Sequence, residues 1–143
     1  HAHILVWLSN ESKLRTANDV DAIISAEIPD PELEPELYDL VKSNMIHGPC
    51  GLLNQACVCM HNGHCSKGFP KVCSNATVLV DGQYPKYKRS HDGHTVTVRG
   101  FELDSRWVVP YNKTLLLKYR SHINVEACIS IKSVKYMYIQ ICI

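Results

Sequence analysis

The sequence predicts an α+β domain: an antiparallel sheet with flanking helices, interrupted by a Cys/His-rich, zinc-binding type of insert at about residues 47–73. Three observations predict it. Short β-prone runs alternate in polarity around Asp-Gly turns, as strands buried on one face require. Two segments carry apolar residues at helical spacing behind clear start signals. Between these groups lies a stretch dense in Gly, Cys and His with no apolar periodicity. It cannot fold on buried surface alone and needs a staple.

Taken in order, His1-Ala2-His3-Ile4-Leu5-Val6-Trp7-Leu8 reads as an opening strand. Residues i and i+2 of a strand share a face, so His1 and His3 hold two imidazoles side by side, a start for a divalent metal site. Ser9 to Ser12 reads as a turn. Thr16 and Asp19 form a capping box for a helix from Ala17 to Ala26, with Val20, Ile23 and Ile24 facing the core. Pro29, Pro31 and Pro35 break the pattern, and Pro35 suits the first turn of a second helix through Leu37, Leu40, Val41 and Met45. The acids from Asp30 to Asp39 belong to a solvated loop and the start of that helix.

Beyond the insert, Thr77 to Val80, Tyr84 to Arg89 and Thr95 to Val98 read as a β-meander joined at Asp81-Gly82 and Asp92-Gly93. Arg106 to Asn112 is a further extended piece. Ile123, Val125 and Ala127 alternate with His122, Asn124 and Glu126, the pattern of a half-buried strand with a solvated polar face. Ser130 to Tyr138 reads as a closing helix. Trp7 and Trp107 are assigned to the core, and His91 and His94 to a turn. Tyr111 and Tyr119 are expected to pack against the sheet, with stacking on unpaired bases as the alternative.

The chain has 143 residues, 45% of them apolar and 20% charged, enough for one domain with a core of its own. No signal peptide or bilayer-length apolar run occurs, so no membrane partner is expected. The chain opens on His rather than Met, which predicts a fragment. The net charge of +1 hides an asymmetry: residues 1–64 carry 9 acids against 3 bases, residues 65–143 carry 12 bases against 5 acids. A basic second half fits a polyanion such as nucleic acid, or a solvated basic face.

Seven cysteines, four of them between Cys50 and Cys65, sit among His47, His61 and His64. Without a secretory signal, metal binding is favoured over a disulfide framework. His47, Cys50, Cys59 and Cys65 offer four zinc donors within 19 residues. Cys57, His61, His64 and Cys73 are spare donors, and a loop of free thiols is the competing reading.

Several pieces together resemble the replication-initiator domain of Helitron transposases, members of the HUH endonucleases. They are His1 to Leu8; Ile24-Ser25-Ala26-Glu27-Ile28-Pro29-Asp30-Pro31; His47-Gly48-Pro49-Cys50-Gly51; and Cys65-Ser66-Lys67-Gly68-Phe69-Pro70-Lys71. The strongest is Arg106-Trp107-Val108-Val109-Pro110-Tyr111-Asn112, followed by Leu115 to Tyr119 and His122-Ile123-Asn124-Val125-Glu126. The resemblance spans nearly the whole chain in order. It implies an HUH endonuclease-like fold, single-stranded DNA as partner, and nicking with strand transfer in rolling-circle transposition. In that family the paired histidines bind Mg²⁺ or Mn²⁺, here His1 and His3, and a tyrosine attacks the phosphodiester, here Tyr136. Lys118, Arg120, Lys132 and Lys135 flank that region and are candidate phosphate contacts, with plain surface solubility as the alternative. A nuclear location and a fused ATP-dependent helicase in full-length relatives are also implied; this chain itself has no Gly-x-x-x-x-Gly-Lys-Ser/Thr loop.

The sequence departs from the family pattern at both ends. Relatives carry two tyrosines four residues apart, on one face of a helix. Here Gln140 stands at the second position, and Ile139 and Ile143 replace the lysines. Tyr138 lies roughly 200° from Tyr136 around a helix and does not substitute. A frameshifted, decayed copy is expected. A strand preceding His1 is expected to supply the third metal ligand, with His122 and Glu126 as weaker candidates. The fragment is expected to be inactive alone, a non-catalytic zinc-stapled DNA-binding remnant being the alternative.

Overall fold

The computed structural model describes residues 2–81, 83–128 and 140–141. In chain order the regular elements are β1 (Ala2–His3), α1 (Ala17–Asp21), α2 (Pro35–Asn44), β2 (Met60–His61), β3 (His64–Cys65), β4 (Val96–Val98), β5 (Phe101–Leu103), α3 (Lys113–Tyr119) and β6 (Gln140–Ile141). The domain is mixed α and β. No described helix is long and apolar enough to cross a membrane.

The capping box at α1 forms: Thr16 Oγ1 accepts from the Asp19 N–H at 3.2 Å, and the Asp19 carboxylate accepts from the Thr16 N–H at 2.8 Å. The helix is shorter than the expected Ala17 to Ala26. Ser25 and Tyr111 exchange backbone hydrogen bonds of 2.9 and 2.8 Å, which draws the chain out straight after Ile24. Ile23, expected in the core, is 41% exposed as a result. α2 starts at Pro35, where a missing N–H costs nothing, and buries Leu37, Leu40 and Val41, with Met45 just beyond it.

One extended segment, residues 105–111, ties the molecule together. The Val109 N–H donates to Met45 O at 2.7 Å, His47 N–H to Trp107 O at 2.8 Å, and Lys71 N–H to Arg106 O at 2.9 Å. Val125 N–H donates to Pro110 O at 3.0 Å, and Ile28 N–H to the Ser105 hydroxyl at 3.0 Å. Met45, Val108, Tyr111 and Leu116 are fully buried in the core that this segment shares with α2, α3, β4 and β5. A smaller cluster of Val20, Ile24, Ala26, Tyr87 and Ala127 lies beside it.

The expected meander is replaced by three two-stranded antiparallel ribbons among the described residues: β1 with β6, β2 with β3, and β4 with β5. Residues 77–80 and 84–89 meet through the single bridge Val78–Lys86, and Ser74 bridges Arg89. The ladder fails there because the Lys88 N–H goes to the Thr77 hydroxyl at 2.8 Å instead of to a backbone carbonyl. β4 pairs forward with β5, across Arg99-Gly100. Both turn residues have positive φ, +52° and +83°, as a tight two-residue hairpin requires.

Three further expectations are corrected. The opening strand stops at His3, and Trp7 is 79% exposed rather than core, whereas Trp107 is buried. Glu126 does not face solvent: its carboxylate accepts from the Tyr87 hydroxyl at 2.8 Å, and the Ala127 N–H closes the loop onto that oxygen at 2.8 Å. Tyr119 is exposed instead of packed, with Lys118 Nζ 5.3 Å from its ring centre. Tyr111 is buried as expected and donates to Glu27 O at 3.1 Å. The expected closing helix, residues 130–138, lies outside the described residues. α3 was not anticipated, although Asn112 before Lys113-Thr114-Leu115-Leu116-Leu117 is a start signal. Its side chain accepts from the Leu115 N–H at 2.9 Å.

Candidate metal centre

The insert anchors on the core through buried Cys50 and the partly buried Met60 and Phe69, but its loops stay in water. Leu52 is 95% exposed and Val58 96%. Its shape comes from tight turns: Met60 N–H donates to Cys57 O at 2.9 Å, Ser66 N–H to Cys59 O at 2.8 Å, and Gly68 N–H to Cys65 O at 2.8 Å. β2 and β3 form the ribbon between them, with Met60 opposite Cys65 and His61 opposite His64. These turns bring Cys59 and Cys65 back onto His47 and Cys50, which the core holds through the His47–Trp107 bond.

The donor atoms of His47, Cys50, Cys59 and Cys65 all lie within 4.8 Å of one another. His47 Nε2 and Cys65 Sγ are 3.3 Å apart. Ligand atoms around a tetrahedral zinc with bonds of 2.0–2.3 Å stand about 3.5 Å from each other, so the four groups close on one ion with small movements. The set of one imidazole and three sulfurs is the chemistry of a closed structural zinc site. Cys57 Sγ lies 3.5 Å from Cys59 Sγ, outside the group of four, and His61 and His64 point into solvent. Among the described residues this is the cluster of histidine, cysteine or carboxylate donors that can hold an ion.

The electrostatics suit a cation. Burial pushes the Cys50 thiol up, and Cys59 is raised furthest, by burial and by the sulfurs around it. Cys65 goes the other way: burial opposes ionisation, but the N–H groups of Phe69 and Lys67 and the neighbouring thiols hold it below the usual thiol range. The His47 imidazole is kept neutral first by burial, then by Lys71 and Lys67. Its ring stacks on Phe69 at 4.3 Å, which fixes the ring plane that presents Nε2.

Gly48 sets the approach of Pro49 and Cys50. Its φ is +117°, and an added Cβ would lie 3.0 Å from Trp107 Cε3 and 3.1 Å from the Cys50 nitrogen. Replacing Gly48 by Ala is expected to cost roughly 1–3 kcal/mol of stability and to weaken zinc retention together, because the indole and Cys50 must both move. Thermal denaturation and a competition titration with a chromogenic chelator measure the two effects.

The remaining candidates are dispersed. His3 lies on β1 and is exposed, its partner strand β6 placing Gln140 opposite it. His1, Tyr136, Lys132 and Lys135 lie outside the described residues. Arg120 is paired with Glu36 at 2.7 Å at the end of α3, and Lys118 lies over Tyr119. His122, weighed as a metal ligand, donates from Nδ1 to Asn44 O at 2.6 Å. No protein-family model and no curated protein matches the chain.

Sequence reading missed a cavity of about 700 Å³ on the other side of His47, lined by residues from 67–89 and 109–126. No local pattern signals it, since its walls come from segments that meet only in the fold.

Proposed function

We propose that this chain is a zinc-stapled domain of the Helitron replication-initiator type that handles single-stranded DNA, with His1 and His3 as the paired metal ligands and Tyr136 as the nucleophile. The observation that carries the reading is the antiparallel pairing of β1 with β6, in which His3 stands opposite Gln140. Gln140, four residues after Tyr136 in the sequence, thus pairs with the strand that carries His3. A second support is that the stretches bearing the resemblance dock on one another: 24–31, 47–51, 65–71 and 122–126 all bond to residues 105–111.

In this reading Tyr136 Oη forms a bond to phosphorus while the bond to the 3′ oxygen breaks, and the 3′ oxygen leaves with a proton as a free hydroxyl. A divalent ion on the histidines would polarise the phosphate. The zinc set, His47, Cys50, Cys59 and Cys65, is structural and takes no part in the chemistry.

Incubation with a single-stranded oligonucleotide and Mn²⁺ tests the reading. Cleavage with a covalent 5′ adduct, lost in Tyr136→Phe and in His3→Ala, would establish that the nicking chemistry survives with a single tyrosine. Retarded migration without any adduct would mark the chain as a non-catalytic DNA-binding remnant. The replacement of the second tyrosine by Gln140 favours that second reading.

A further inference from the structure

The cavity behind His47 has walls of three chemical kinds. Lys67, Lys71 and Lys86 supply cations; the rings of Tyr84 and His122 supply flat surface; Asn124 supplies a polar contact. With Arg89, four cations line the space against one carboxylate, Glu126. That carboxylate is already engaged by the Tyr87 hydroxyl and by the Asn124 amide nitrogen. Donation from Nδ2 fixes the orientation of the Asn124 amide. Its Oδ1 is then left buried with no hydrogen-bond partner. An orphan buried acceptor is costly, and a ligand N–H that reaches it would remove that cost. Lys71 is half-buried over the Phe69 ring, 4.8 Å from its centre. A half-buried ammonium gains more from a bound anion than a fully solvated one.

We propose that this cavity binds a nucleotide: the lysines hold the phosphate, Tyr84 and His122 flank the base, and Asn124 Oδ1 accepts from a base N–H. At about 700 Å³ the space lies within the range of small-ligand sites. The lining does not include His3 and the site stands whether or not Tyr136 is a nucleophile. The nucleotide can be free or one unit of a strand.

Calorimetric titration of the zinc-loaded chain with AMP, ribose 5-phosphate, adenosine and inorganic phosphate tests it. AMP is expected to bind with a Kd below about 1 mM and at least tenfold more tightly than either half-molecule. Lys86→Met, a change at an exposed side chain, and Asn124→Leu should each weaken AMP about tenfold. Lys86→Met should also weaken ribose 5-phosphate, whereas Asn124→Leu should leave it unchanged. A 5′-phosphorylated oligo(dA) that competes with AMP identifies a strand as the source; failure to compete identifies the free nucleotide. Equal binding of ribose 5-phosphate and AMP, no heat with AMP, or AMP binding unaltered in both variants overturns the proposal.

Discussion

Stripping zinc from the loaded chain is expected to release residues 47–73 from the fold. The argument is one of missing alternatives. The insert's loop side chains Leu52 and Val58 stand in water at 95% and 96% exposure, so apart from Cys50, Met60 and Phe69, which pack on the core, burial contributes little to holding it. What remains is a few turn hydrogen bonds, each worth about 1 kcal/mol net. Against that, ordering a residue costs about 1–2 kcal/mol of backbone entropy. A structural zinc supplies on the order of 10 kcal/mol of apparent binding energy, enough to decide the balance. Hydrogen exchange with and without chelator should show protection in 47–73 lost on stripping. Cys59→Ser should do the same, while Cys128→Ser, away from the four donors, should change nothing. A chain that binds no zinc, or whose insert stays protected without it, would show that thiol packing alone suffices.

The metal donors were legible because ligand chemistry is written in residue type and the spacers are short. His47, Cys50, Cys59 and Cys65 needed only tight turns to meet, and the glycines and asparagines between them allow those turns. α2 was equally legible, since Pro35 and the spacing of Leu37, Leu40 and Val41 are local signals. Strand pairing was not. Whether Thr95 to Val98 pairs backward to residues 84–89 or forward to 101–103 depends on contacts made elsewhere, and the ladder between 77–80 and 84–89 was broken by the side chain of Thr77 taking the Lys88 N–H. The exposure of Trp7 illustrates the same limit: an apolar run shows what is β-prone, but not what lies over it. The opposite error arose at Glu126, whose place in an alternating run gave no sign that Tyr87, 39 residues away, would draw it inward.

Arg89 is the residue whose role was least readable and whose loss should be among the most damaging. In sequence it closes a basic run, Lys86-Tyr87-Lys88-Arg89, and looks like surface. In the fold it is 3% exposed, and its Nη1 donates to Val108 O at 2.7 Å, Ser105 O at 2.5 Å and Ala26 O at 3.3 Å. It thus joins the central segment to the chain that leaves α1. Burial lowers its pKa to about 10, which Glu126 partly opposes, so the guanidinium stays charged at neutral pH. Arg89→Met keeps the bulk but removes every donor, leaving the carbonyls it held without a partner. At about 1–3 kcal/mol for each orphaned group, the expected loss is roughly 3–5 kcal/mol. In a domain of this size that corresponds to a fall in Tm of about 10 °C or more. Arg89→Lys should recover only part, because a single ammonium cannot reproduce the planar fork of donors. Urea denaturation of both variants measures the ladder. A Met variant within about 0.5 kcal/mol of the parent, the range of an ordinary surface change, would mean that those carbonyls find water and that the cation was not holding the segment.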